Sequence, residues 1–254
     1  MPLTWLQPQD PFPPTALALD EATDAPGLLA VGADLSADRL VQAYRRGIFP
    51  WYAQGQPILW WTPHPRMVLP VAEFKLSRSL KRAVRQGLAS GRLEVRLDLH
   101  FDRVIQACAQ TPRHGQAGTW ILPEMVRAYQ RLHGLGVAHS VETWQDGQLV
   151  GGLYGLMIGR MFFGESMFAH ATDASKMALC ALVALCREDQ IELIDCQQET
   201  AHLASLGARP IRRAQFEAHL ARTVDLPTPR WSDRTVPWHQ LGLNTAQAPV
   251  ENDA

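Results

Sequence analysis

One carboxylic acid stands inside an apolar stretch, Met161-Phe162-Phe163-Gly164-Glu165-Ser166-Met167-Phe168. Burying a carboxylate there alone is expensive, so Glu165 must be paired, hydrogen-bonded or kept neutral. Strict alternation puts Met161, Phe163, Glu165 and Met167 on one face of a strand. Gly164 is the residue type that marks a bulge, which would let both faces feed one cleft. Such a cleft has large apolar walls and one charge able to grip an ammonium group. The plain alternative is a structural Glu paired with an Arg. A second apolar run, Leu193-Ile194, ends in Asp195-Cys196-Gln197. Strand ends at the open side of α/β sheets are where ligands bind, and in extended chain Asp195 and Gln197 share a face and can hydrogen-bond. The competing reading makes Asp195 a turn or cap residue. Cys196 faces the other way and reads as core rather than nucleophile. His64, His139, His170 and His202 lack metal-ligand spacing, so each reads as structural and no metal is assigned. Trp51, Trp60, Trp61 and Trp120 are flat rings able to stack on a base, although packing between two domains accounts for Trp60 and Trp61 equally well.

The elements that must position these residues follow from periodicity and punctuation. Residues 1–26 are rich in Pro and acids and read as an irregular lead-in. A helix is predicted over 36–46, capped by Ser36, with Leu40, Ala43 and Tyr44 as its apolar stripe and Gly47 as its stop. Pro57, Pro63 and Pro65 place a boundary near residue 64. A basic helix over 77–90, a strand over 92–97 and helices over 101–110 and 123–135 come next. Strands over 138–145, 149–158 and 161–168 are joined by Asp146-Gly147, a strong hairpin signal, and by Gly159-Arg160. A helix over 174–187, a strand over 191–195 and short helices over 200–206 and 214–222 complete the pattern. The expected organisation is a small N-terminal domain (1–64), a larger mixed α/β domain (65–235) and a mobile tail (236–254). An antiparallel meander entering a βαβ crossover resembles the GNAT-type acyltransferase fold, and fold alone does not give chemistry.

Composition limits the classes open to the chain. Its 254 residues, 46% hydrophobic and 19% charged, can bury one sizeable core and exclude disordered and fibrous classes. No run is long and apolar enough to span a bilayer, and the first residues do not read as a signal peptide. Cys108, Cys180, Cys186 and Cys196 lack C-x-x-C spacing and read as buried thiols in a reducing compartment. The net charge of −1 conceals a block, residues 39–96, with eleven bases against two acids, a local +9. It is densest from Lys75 through Arg78, Lys81, Arg82 and Arg85 to Arg92 and Arg96. A phosphate-binding surface and a merely solvated helix face are the two readings of that block.

Several motifs together resemble one family. G-L-L-A-V-G-A-D-L at 27–35, R-G-I-F-P-W at 46–51, W-W-T-P-H-P-R at 60–66 and G-T-W at 118–120 are similar to leucyl/phenylalanyl-tRNA–protein transferases. So are H-S-V-E at 139–142, G-G-L-Y-G at 151–155, F-F-G-E-S-M-F at 162–168, A-S-K at 174–176, I-D-C-Q at 194–197 and S-L-G-A at 205–208. The resemblance covers residues 27–222 in order, and a set of motifs is far more specific than any one of them. It implies a bacterial, cytoplasmic enzyme without cofactor or metal. Such an enzyme moves Leu or Phe, and less well Met, from aminoacyl-tRNA to the N-terminal Lys or Arg of a protein and marks that protein for degradation. It implies a polar centre of Glu165, Asp195 and Gln197, and Trp51 and Trp120 around the terminal adenosine. Leu153, Phe162, Gly164, Met167, Leu179 and Ile194 would form the side-chain pocket, with Leu153 where some members carry Met, a near-isosteric exchange. Lys75, Arg78, Lys81, Arg82 and Arg85 would meet the tRNA acceptor stem.

The chemistry fits that set. The donor ester is already activated, so no covalent nucleophile is needed. The α-amine must lose a proton and the ribose oxygen must gain one, and Asp195 bonded to Gln197 is expected to orient the amine and relay the proton. Two other classes remain open. One is an acetyl-CoA-dependent N-acetyltransferase, disfavoured because 169–176 lacks a Gly-rich pyrophosphate loop. The other is a non-catalytic tRNA-binding adaptor, which leaves Glu165, Asp195 and Gln197 without purpose.

Overall fold

In a computed structural model the described residues are 3–111, 120–231 and 234–243, and among them are eleven strands and seven α-helices. Ser36 caps α1 (Ala37–Arg45), its Oγ accepting from the Arg39 N–H, and buries the face carrying Leu40, Ala43 and Tyr44. Removing that cap in Ser36→Ala is expected to cost about 1 kcal/mol, measurable by urea denaturation. Ser77 caps the basic helix α2 (Arg78–Ala89) in the same way. Pro123 opens α4 (Pro123–Gly134), where its missing N–H costs nothing. The apolar run of α5 (Ala174–Glu188) is buried nearly all round.

Seven strands form the main sheet, in the order β11 (Arg209–Ile211), β5 (Arg66–Pro70), β10 (Leu193–Gln197), β9 (Met161–Ala169), β8 (Gln148–Ile158), β7 (Ala138–Gln145), β6 (Leu93–Leu97). Every pairing is antiparallel except β9 with β10, which α5 connects as a crossover. This is the expected mixed α/β plan. A smaller sheet has the order β1 (Thr4–Leu6), β2 (Leu28–Gly32), β4 (Leu59–Trp61), β3 (Phe49–Pro50). Residue 64 lies between strands of different sheets, yet Leu6, Trp60, Phe163 and Phe168 share one apolar core. That core includes α3 (Phe101–Gln110) and α4, while α5 belongs to a second core.

Two expectations are corrected. The lead-in is not irregular throughout: β1 pairs in parallel with β2, Phe12 is buried, and Arg39 and Arg46 anchor the carbonyls of Pro8, Asp10, Phe12 and Pro13. A three-residue strand satisfied by distant partners has no local signature. The tail is not free from its start either, because Trp238, Leu241 and Leu243 pack into the core around α5. Residues 244–254 lie outside the described residues. The strand Arg66–Pro70 has no counterpart among the predicted elements; it is buried on both faces, so no alternation reveals it.

Candidate functional site

The site forms where two parallel strands part. β9 and β10 pair through Ile194–Phe162 and Asp195–Phe163, while β9 continues to Ala169 beside β8 alone. At the parting point β9 carries a bulge: Tyr154 faces Ser166 and Gly155 faces Gly164, which leaves Glu165 as the extra residue. The bulge resets the alternation. Met161 and Phe163 face one core, whereas Met167 joins Phe162 on the opposite one. The expectation that Met161, Phe163, Glu165 and Met167 share a face is therefore corrected, because the extra residue inverts everything beyond it.

A cavity of about 610 Å³ opens here. Leu153, Phe162, Gly164, Met167, Leu179 and Ile194 line it, as do Trp51 and Trp120, and it reaches Glu165, Asp195 and Gln197. All the residues proposed for pocket, adenosine and polar centre thus border one space. Phe49, Tyr154, Leu182 and Leu203 also line it without a signal in the sequence, and so does His202, which reads there as a structural histidine. Trp51 meets Trp61 edge-on at 5.5 Å, and Trp61 Nε1 donates to the Trp51 carbonyl. Trp60 is fully buried, its Nε1 donating to the Gly32 carbonyl.

Two buried carboxyl groups are held differently. Asp195 is wholly buried and takes two hydrogen bonds from Arg66, Nε to Oδ1 at 2.8 Å and Nη2 to Oδ2 at 2.5 Å. Arg66 is itself buried between the Phe49 and Phe216 rings, 4.8 and 4.7 Å from their centres, and its Nη1 donates to the Gly47 carbonyl. The Arg expected as a bland partner for Glu165 belongs to Asp195. Gln197 reaches Asp195 through its backbone N–H, at 3.0 Å. Its backbone adopts φ 62° at a register shift, so the side chain turns away from the face it would share in extended chain. Gln197 Nε2 donates instead to Glu165 Oε1 at 2.7 Å.

Glu165 sits in a closed set of oxygens. Tyr44 Oη lies 2.7 Å from Oε1, Tyr129 Oη 3.0 Å from Oε2, and the two hydroxyls touch each other. Three oxygen–oxygen contacts share two hydroxyl protons when Glu165 is ionised, and one contact then lacks a proton. A proton on Glu165 completes all three. Burial pushes the Glu165 carboxyl up to about 7, the Tyr44 and Tyr129 hydroxyl bonds pulling it down and the Asp195 charge adding to the rise. Burial also raises the Cys196 thiol far above its ordinary value, which makes it a poor nucleophile, but it borders the cavity rather than facing away from it.

The basic block is mostly accounted for inside the fold. Arg39, Arg45, Arg46 and Arg66 hold backbone or acidic groups, Arg92 pairs with Asp146 and Arg96 with Glu94. Lys75, Arg78, Lys81, Arg82 and Arg85 are the remainder, without an ion-pair partner among the described residues. The last four recur along one helix at spacings of three, one and three, opposite the buried Leu80 and Val84.

An apolar cavity that reaches a proton-sharing carboxyl group, at the parting of a meander and its crossover strand, has the apolar wall and the acid–base group that acyl transfer calls for. The chain belongs to the leucyl/phenylalanyl-tRNA–protein transferase family: the family's main domain matches residues 68–221 and its N-terminal domain residues 33–64. It is 60% identical over 251 residues to the leucyl/phenylalanyl-tRNA–protein transferase of Methylibium petroleiphilum, covering 98% of this chain and 95% of that one. The enzyme of the same name from Leptothrix cholodnii is 60% identical over 245 residues, 94% of this chain and 95% of its own. Among solved structures, L-PGS from Bacillus licheniformis is similar at a TM-score of 0.36 and 8% identity over 69% of this chain and 57% of that one. A GCN5-related N-acetyltransferase-like protein from Streptococcus suis gives 0.32 and 12% over 69% and 64%. Membership of the transferase family makes this chain an aminoacyltransferase. No helix among the described residues is long and apolar enough to cross a membrane.

Proposed function

We propose that the enzyme transfers Leu or Phe, and less well Met, from aminoacyl-tRNA to the N-terminal Lys or Arg of acceptor proteins in the cytoplasm, where the new residue marks them for degradation. The observation that carries this reading is the cavity itself, which has apolar walls and reaches Glu165. Leu153, Phe162, Met167, Leu179 and Ile194 take the transferred side chain, and a β-branched residue collides near its Cβ. A single methylene is worth about 1–3 kcal/mol in such a pocket, which ranks Met below Leu. Trp51 and Trp120 hold the terminal adenosine. Lys75, Arg78, Lys81, Arg82 and Arg85 hold the acceptor stem.

In the transfer the α-amine nitrogen bonds to the ester carbonyl carbon, the bond from that carbon to the ribose oxygen breaks, and one proton moves from nitrogen to that oxygen. Glu165, with its carboxyl near neutrality, is suited to hold that proton in passage. Gln197 orients it. Asp195, whose two oxygens are occupied by Arg66, acts as a positioning residue that fixes the turn at Gln197. The acetyl-CoA reading is weakened by the start of α5, where Asp173 pairs with Lys176 and Gly151 leaves no room against Ala174.

The test uses purified enzyme, labelled Leu-tRNA and two peptides that differ only in starting with Arg or Ala. Label on the Arg peptide alone is expected; tRNA binding without transfer to either would favour the adaptor. The basic face gives its own prediction. Log affinity for tRNA should fall linearly with log salt, and Arg78→Gln, Arg82→Gln and Arg85→Gln together should lower that slope by about 2–3. An unchanged slope assigns tRNA to another surface.

A further inference from the structure

We propose that Trp231, which does not line the cavity, sets its depth from behind Phe162 and so sets the preference between Leu and Phe. The proposal rests on the reading of the cavity as the side-chain pocket. Phe162 contributes a fully buried ring to that wall. One side of the ring lies directly on β8: a Cβ placed on Gly155 would come within 2.6 Å of Phe162 Cε1. The ring cannot move that way. Against Phe162 is the Trp231 indole, stacked at 5.5 Å between centres and 20° between planes. Close-packed rings transmit a change of volume, so whatever stands at 231 decides how far Phe162 can withdraw.

Trp231 is in turn fixed. It is 1% exposed, and its Nε1 donates to Asp189 Oδ2 at 3.0 Å. Asp189 closes α5 and also receives Arg234 Nη1, at 2.8 and 2.7 Å. The His139 ring, itself held by Asp98 at 2.7 Å, lies 5.4 Å from the indole. These anchors make a rigid backstop from the segment after residue 221, beyond the part of the chain that the family's main domain matches. A backstop is what the discrimination needs. Leu and Phe differ in reach more than in polarity, and a wall that yields would accept the longer side chain while losing contact with the shorter.

The experiment compares kcat/KM for Phe-tRNA and for Leu-tRNA, with one Arg-starting peptide, in the parent, Trp231→Leu, Trp231→Phe and Leu153→Ala. Removing part of the backstop should raise the Phe-to-Leu ratio, by about fivefold or more in Trp231→Leu and by less in Trp231→Phe. Equal losses on both donors, with the ratio within twofold of the parent, would mean that Trp231 only supports the fold, and would overturn the proposal. Leu153→Ala separates the two readings. If it moves the ratio and Trp231 variants do not, the pocket stands and the role of Trp231 falls; if neither moves it, the pocket reading falls and takes the proposal with it. Should Trp231→Leu not accumulate as folded protein by circular dichroism, Trp231→Phe, which keeps a ring against Phe162, decides the matter by the same ratio.

Discussion

Replacing Arg66 by Met should destabilise the protein by about 3–5 kcal/mol, the largest stability loss expected of any single change here. Arg66 and Asp195 are both buried, and the substitution leaves a buried carboxylate without its counter-ion. The same side chain packs between Phe49 of the small sheet and Phe216 of α7 (Arg213–Thr223), and holds the Gly47 carbonyl, so its loss also loosens the seam between the two sheets. Urea denaturation measures the cost. The charge explanation has its own check: adding Asp195→Asn to Arg66→Met should recover part of the loss, because the stranded charge is gone. A double variant as unstable as the sum of the singles would place the cost in packing instead.

Glu165→Gln should leave the fold intact and lower transfer by about 10²–10⁴-fold, the usual contribution of a positioned acid–base group. A Gln amide donates to Tyr129 as a protonated carboxyl would and accepts from Tyr44 and Gln197, so the oxygen ring stays closed. What disappears is the ability to give and take a proton. Stability against pH reads this directly. The carboxyl is raised in the folded state from an ordinary 4.5 to about 7, so the native state binds the proton more tightly than the unfolded chain. Its favourable contribution is complete below about 4.5 and is lost as pH rises through about 7. In Glu165→Gln that downward slope should vanish. A variant that keeps the slope, or transfers within threefold of the parent, would remove Glu165 from the centre of the reaction.

Much of the scaffold was legible because its signals are local. Ser36 caps the helix it was expected to cap, the basic helix forms where it was expected, Asp146-Gly147 turns the expected hairpin, and Gly164 stands beside the bulge it suggested. The errors lie where partners are distant or both faces are covered. Strict alternation through 161–168 fails because the extra residue at Glu165 inverts its second half. In sequence Arg66 is one charge of a basic block and the last residue of a motif, although it neutralises a residue 129 positions away. In sequence Tyr44 is part of an apolar stripe on α1, and no spacing rule joins its hydroxyl to Tyr129 on α4 and Glu165 on β9.

The sequence by itself determined the fold class and the family, and it named Glu165, Asp195 and Gln197 as a candidate centre, because residue type, periodicity and motif order are properties of the chain alone. Tertiary structure decided how that chemistry is divided. It took Asp195 out of solvent with Arg66 and gave Glu165 two tyrosine hydroxyls. It also left five cations of the basic block unpaired among the described residues and brought Trp231 up behind the pocket wall. Protonation and charge depend on burial and on the nearest partner, and both are set by contacts between residues far apart in the chain.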